Sequence, residues 1–125
     1  MHRSRLAQVL LDVPGPQRDT EERFWSAALN LAPQPDPDDP EYTLLGEPAP
    51  GLHLIVQEVD SPARAHLDIE TDDIEAEVSR LCGLGAEVVA RVKRWVVMRD
   101  PAGLLFCVIR VHTAAFDRDA NMWPD

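Results

Sequence analysis

Apolar residues recur along this chain with two different periods, and the changes of period mark its elements. From Leu6 to Val13 the period is two: Val9, Leu11 and Val13 share one face, and Gln8, Leu10 and Asp12 share the other. That is a strand, ended by Pro14-Gly15-Pro16, since neither proline can donate to a ladder. Phe24, Trp25, Ala28 and Leu29 then follow a helical period as a buried stripe. Asp19 and Glu22 form a capping box ahead of them, so the spacing predicts a helix running through Asn30. The proline-rich stretch from Pro33 to Pro40 predicts a solvated loop or a frayed edge strand. Tyr42 to Glu47 and Leu52 to Val59 return to strand patterning.

The stretch from Ala65 to Gly85 repeats this logic in compressed form. His66, Asp68 and Glu70 fall on one strand face, with Leu67 and Ile69 on the other. Asp72 with Glu75 predicts a capped helix with Ile74, Val78, Leu81 and Cys82 as its apolar stripe. Gly83 is predicted as its left-handed C-terminal residue. Strands are expected at Glu87 to Val92, Arg94 to Arg99 and Leu104 to Val111. Asp100-Pro101-Ala102-Gly103 has the residue order of a type I turn.

The two halves superimpose on each other. An offset of 53 puts Asp19 on Asp72, Trp25 on Val78, Ala28 on Leu81 and Tyr42 on Trp95. One residue fewer aligns Gly51 with Gly103, and a longer first loop brings Gln8 onto His66. The expected fold is therefore α+β: two tandem βαβββ modules pairing into a curved mixed sheet that encloses a cleft. Module one spans residues 6–59, module two 64–112, and a tail covers 113–125, all within one domain 1–125. Strand faces turned away from the helices would line the cleft. Phe116, Met122 and Trp123 make the tail too apolar to be idle, which predicts docking on this subunit or on a neighbour.

Composition narrows the partners. A formal charge of −10 on 125 residues argues against nucleic acid and against an anionic membrane, and leaves room for a cationic ligand. No apolar run is long enough to span a bilayer, and the basic start lacks a signal-type apolar region, so a cytoplasmic location is expected. Cys82 and Cys107 form no disulfide framework and are expected as reduced thiols. Nucleophile elbow, phosphate loop, zinc-finger spacing and dinucleotide fingerprint are all missing from the sequence.

With these motifs in place, the chain resembles the glyoxalase / bleomycin-resistance / extradiol-dioxygenase superfamily, the vicinal oxygen chelate fold, and more narrowly bacterial glyoxalase-like domains. H-L-D-I-E-T-D-D-I at His66 to Ile74, L-C-G-L-G-A-E-V-V at Leu81 to Val89 and W-V-V-M-R-D-P-A-G-L-L-F-C-V at Trp95 to Val108 carry the resemblance. It implies a small-molecule ligand in the cleft and a homodimer. It also implies four metal-ligand positions, which fall here on Gln8, His66, Ile55 and Cys107. Isoleucine cannot ligate, and the usual carboxylates are absent, although a two-residue slip would offer His53 or Gln57. A soft divalent metal on Gln8, His66 and Cys107 is the form of cofactor left open.

The expected ligand-binding residues are Gln8, Asp12, His53, Ile55, Gln57, His66, Asp68, Trp95 and Cys107, with His66 the candidate catalytic group. Asp68 would orient an imidazole or hold a cationic group, and Trp95 would pack or stack on a ligand. Two function classes follow from the resemblance. One is a lyase, isomerase or dioxygenase-type enzyme; the other is a non-catalytic protein sequestering a drug or metabolite.

Overall fold

The computed structural model describes residues 1–124. The fold is α+β, with strands β1 (His2–Pro14), β2 (Gln34–Pro35), β3 (Tyr42–Ala49), β4 (Leu52–Val59) and β5 (Arg64–Thr71) in its first half, together with helix α1 (Arg18–Leu29). Helix α2 (Ile74–Gly83), strands β6 (Glu87–Val92), β7 (Trp95–Arg99) and β8 (Leu105–Arg110), the short helix α3 (Phe116–Asp119) and strand β9 (Asn121–Trp123) follow. Two compact units result: Gln8–His66, and Met1–Ala7 together with the chain from Leu67 onward. Among the described residues no helix is long and apolar enough to cross a membrane.

In the unit Gln8–His66 the strands run in the order β2, β3, β4, β1, with β1 parallel to β4 and β3 antiparallel to β4. Its core is Val13, Leu45, Leu54 and Val56, with Val9, Leu11, Trp25 and Leu31 packed against it. The odd-numbered face of β1 is thus the helix side, as its period of two predicts, and Gln8, Leu10 and Asp12 face away. Helix α1 departs from expectation in two ways. It is entered through a 3-10 turn at Gly15–Gln17, whose own bond from the Arg18 N–H to the Gly15 carbonyl replaces a side-chain cap, so Asp19 does not cap it. It also buries no residue: Trp25 is half-buried, while Phe24 stands edge-on to it at 5.1 Å and is 59% exposed. Ala28 and Leu29 are exposed as well, and Leu31 beyond the helix does the packing predicted for them.

In the other unit β5, β8, β7 and β6 lie in that order, with β5 parallel to β8. Val78, Leu81, Val96, Met98 and Val108 form the core, and Cys82 of the predicted stripe is exposed instead. The cap of α2 is Asp73, whose carboxylate accepts from the Ala76 N–H at 3.0 Å. Asp72 is unavailable because it accepts from the Arg3 backbone N–H at 2.8 Å and from its guanidinium at 3.0 Å. Those bonds, the backbone one foremost, hold its carboxyl below the ordinary range. Replacing Asp73 with alanine should therefore cost about 0.5–2 kcal/mol, read by chemical denaturation. The left-handed residue after α2 is Gly85 (φ 107°), not Gly83, because α2 runs one residue further than its apolar period suggested. The turn at Asp100 closes as expected, with the Gly103 N–H donating to the Asp100 carbonyl at 2.9 Å.

The tail docks on its own chain. β9 pairs antiparallel with residues His2 to Ser4 of β1, Phe116 is 2% exposed, and the Trp123 indole donates to Ser4 Oγ at 2.8 Å. Arg80 lies over the Trp123 ring at 3.9 Å and Arg3 over Phe116 at 4.9 Å. Asp125, the last residue of the predicted tail, lies outside the described residues. Deleting residues 114–125 should lower stability by at least the ~1.5–3 kcal/mol of one buried aromatic side chain. Unchanged thermal unfolding would contradict this docking.

Candidate functional site

The face of β1 and β4 turned away from α1 carries a row of polar groups. Parallel pairing sets Gln8 beside His53, Leu10 beside Ile55, and Asp12 beside Gln57, while β3 adds Tyr42 beside Gln57. Because cross-strand partners share a face, Tyr42, Gln57 and Asp12 form one transverse line. Gln57 Nε2 donates to the Tyr42 hydroxyl at 3.2 Å. Gln8 is buried, as is Ile55, whereas His53 is half-buried and faces Glu47 at 3.3 Å.

At the end of that line Asp12 meets His66. The Asp12 carboxylate is 1% exposed, and its Oδ2 lies 2.8 Å from His66 Nδ1 and 3.3 Å from Arg64 Nε. An ionised carboxylate can only accept, so with Asp12 ionised Nδ1 carries the shared proton, and Nε2 is the basic nitrogen of a neutral ring. Asp12 Oδ1 is also buried and receives no hydrogen bond among the described residues. A buried acceptor left unsatisfied costs about 1–3 kcal/mol, the kind of deficit that persists where a ligand is to be met. Arg64 was not foreseen. It sits two residues before His66 on β5, so the period that places His66 on this face places Arg64 there too.

On the other unit, Asp68 is buried and pairs in register with Cys107 of β8. The Asp68 carboxylate and the Cys107 sulfur are both candidate ligands for a cation. A carboxylate and a thiolate together suit zinc or another borderline cation better than a hard one. Asp68 is a candidate ligand beside Cys107 that the expected set of Gln8, His66 and Cys107 did not include. Glu70, on the same face of β5, is fully buried and occupied by structure. It accepts from Arg5, from the backbone N–H groups of His112 and Thr113, and from the Thr113 hydroxyl. Trp95 lines a groove with the start of α2 and the β6–β7 hairpin.

These features can be set beside known proteins. Residues 8–109 match the family model described as a glyoxalase-like domain. Among curated proteins none matches. The Mn(II)-bound glyoxalase of Novosphingobium aromaticivorans is similar with a TM-score of 0.61 and 18% identity, covering 88% of this chain and 40% of that one. This chain thus spans well under half of that protein. Methylmalonyl-CoA epimerase of Mycobacterium tuberculosis is similar at 0.57 and 16% identity, covering 86% and 88%. A glyoxalase/bleomycin resistance protein/dioxygenase superfamily member of Vibrio splendidus 12B01 is similar at 0.55 and 15%, covering 82% and 96%. At such identities the likeness is one of fold. The family match, which takes in all but the ends of the sequence, goes further: this chain belongs to the glyoxalase-like domain family.

Proposed function

We propose that this protein binds a small oxygen-bearing organic molecule on its polar sheet face and acts on it by proton transfer, as an isomerase or lyase. The single observation that carries the reading is the Asp12–His66 pair, bonded at 2.8 Å with the Asp12 carboxylate buried. Asp12 fixes the imidazole tautomer and stabilises the imidazolium that forms when Nε2 takes a proton. A carbon next to a carbonyl is the natural donor: its proton goes to Nε2, and its electron pair moves onto the carbonyl oxygen. The proton then returns to carbon, or a neighbouring group leaves. The similar epimerase lends support to the isomerase class. A divalent ion held by Asp68 and Cys107 would supply Lewis-acid polarisation of a ligand oxygen.

The test is a panel of small 2-oxo and 2-hydroxy acids and their thioesters, incubated with the protein in D2O. Enzyme-dependent exchange of the carbon-bound proton supports the proposal. A panel with no exchange above buffer counts against it. Ile55, standing where the resemblance places a ligand carboxylate, and the charge of −10 favour a second reading: sequestration of a cationic drug or metabolite. That reading predicts no exchange, no stoichiometric metal, and a melting temperature raised by a cationic glycopeptide.

A further inference from the structure

The chain carries 22 acidic and 12 basic side chains, yet one groove gathers four of the twelve bases. Arg91, Lys93, Arg94 and Arg110 line a groove of about 870 Å³ at the β6–β7 hairpin and the end of β8. Volumes of roughly 300–1,000 Å³ are those of small-ligand sites. The acids that also line it are already engaged. Asp72 is bonded to Arg3, Asp73 caps α2, and Glu75 pairs with Arg91 at 2.7 Å. Among the described residues Lys93, Arg94 and Arg110 have no ion-pair partner, although the chain offers almost two carboxylates for every cation.

Two further observations mark the groove. Lys93, the one lysine of the chain, sits in the left-handed region (φ 32°), in the two-residue turn between Val92 and Trp95. Glycine or asparagine would take that conformation at less cost. Beside it the half-buried Trp95 contributes to the wall. An aromatic ring flanked by guanidinium and ammonium groups suits a planar ring joined to an anion.

We propose that this groove binds a nucleoside phosphate, with Lys93, Arg94 and Arg110 taking the phosphates and Trp95 taking the base. On a chain of net charge −10, a groove lined by four bases and three carboxylates disfavours long polyanions and admits a small one, since screening confines the repulsion to roughly 8–10 Å. This assignment is independent of the proton-transfer reading of the Asp12–His66 face.

Calorimetric titration with ADP, adenosine and inorganic pyrophosphate tests it. ADP should bind and weaken with added salt, and adenosine should bind far less tightly. The double variant Lys93→Gln/Arg94→Gln should lose about tenfold or more in ADP affinity, and Arg110→Gln should lose affinity too. All three side chains are exposed, so the variants should melt with the wild type. Trp95→Leu should weaken ADP more than pyrophosphate. Absence of ADP binding, ADP binding untouched by the double variant, or pyrophosphate binding as tight as ADP and indifferent to Trp95→Leu would each overturn the proposal.

Discussion

Replacing Glu77 with alanine should destabilise the protein by about 3–5 kcal/mol, the usual cost of removing one partner from a buried ion pair. Glu77 is fully buried on α2. Its Oε1 lies 2.7 Å from His2 Nε2 and accepts from Arg80 Nε at 2.8 Å, while Oε2 accepts from Arg80 at 2.8 Å. Arg80 in turn covers Trp123, so one carboxylate ties together the first strand, the second helix and the docked tail. Alanine would leave the buried His2 ring without its partner and loosen Arg80 from Trp123. Urea denaturation at neutral pH reads this as a fall in the midpoint at an unchanged slope.

The same carboxylate sets an acid limit. Burial raises its pKa, but hydrogen bonds from Arg80, Ser4 and His2 outweigh burial and hold it below the ordinary glutamate value. A group with a depressed folded pKa contributes stability above its unfolded value, about 4.3 for glutamate, and loses it as pH falls through the folded value. Wild-type stability should therefore decline as pH drops below about 4.3, and a Glu77→Gln variant, less stable at neutral pH, should show a shallower decline.

Much of this architecture is legible in the sequence, and the failures have physical causes. The period of two in β1 and β5 placed Asp12, His66 and Asp68 on their faces correctly, because alternation is a rigid property of an extended chain. The capping boxes failed because local spacing cannot see distant competitors. Asp72 was taken by Arg3, 69 positions away in the chain, and a 3-10 turn made a cap at Asp19 unnecessary. The buried polar groups of the first residues were missed for the same reason. His2, Ser4 and Arg5 read only as part of a basic start, and their burial follows from pairing with β9 and from carboxylates on β5 and α2. Glu77 did leave a signal: it falls at i+3 from Ile74, on the apolar stripe of its own helix, where a carboxylate must have partners. At the candidate site, the repeat brought Gln8 and His66 into equivalence. The bond between His66 and Asp12 joins non-equivalent positions of the two modules, so no internal alignment could have found it.

Changing Asp12 to asparagine tests the central claim most directly. The variant keeps the shape of the side chain, but its amide can turn an N–H toward His66 Nδ1. That favours the other tautomer, with the proton on Nε2, and the ring is then no longer a base toward the ligand. The measurement is the rate of carbon-proton exchange in D2O, for whichever panel compound the wild type turns over, in wild type and in Asp12→Asn. Ligand affinity is followed in parallel. The account predicts a loss of about 10²–10⁴-fold in exchange with affinity little changed, as expected when a positioned base is disabled. Exchange by Asp12→Asn at the wild-type rate, in a protein that folds and binds normally, would contradict it.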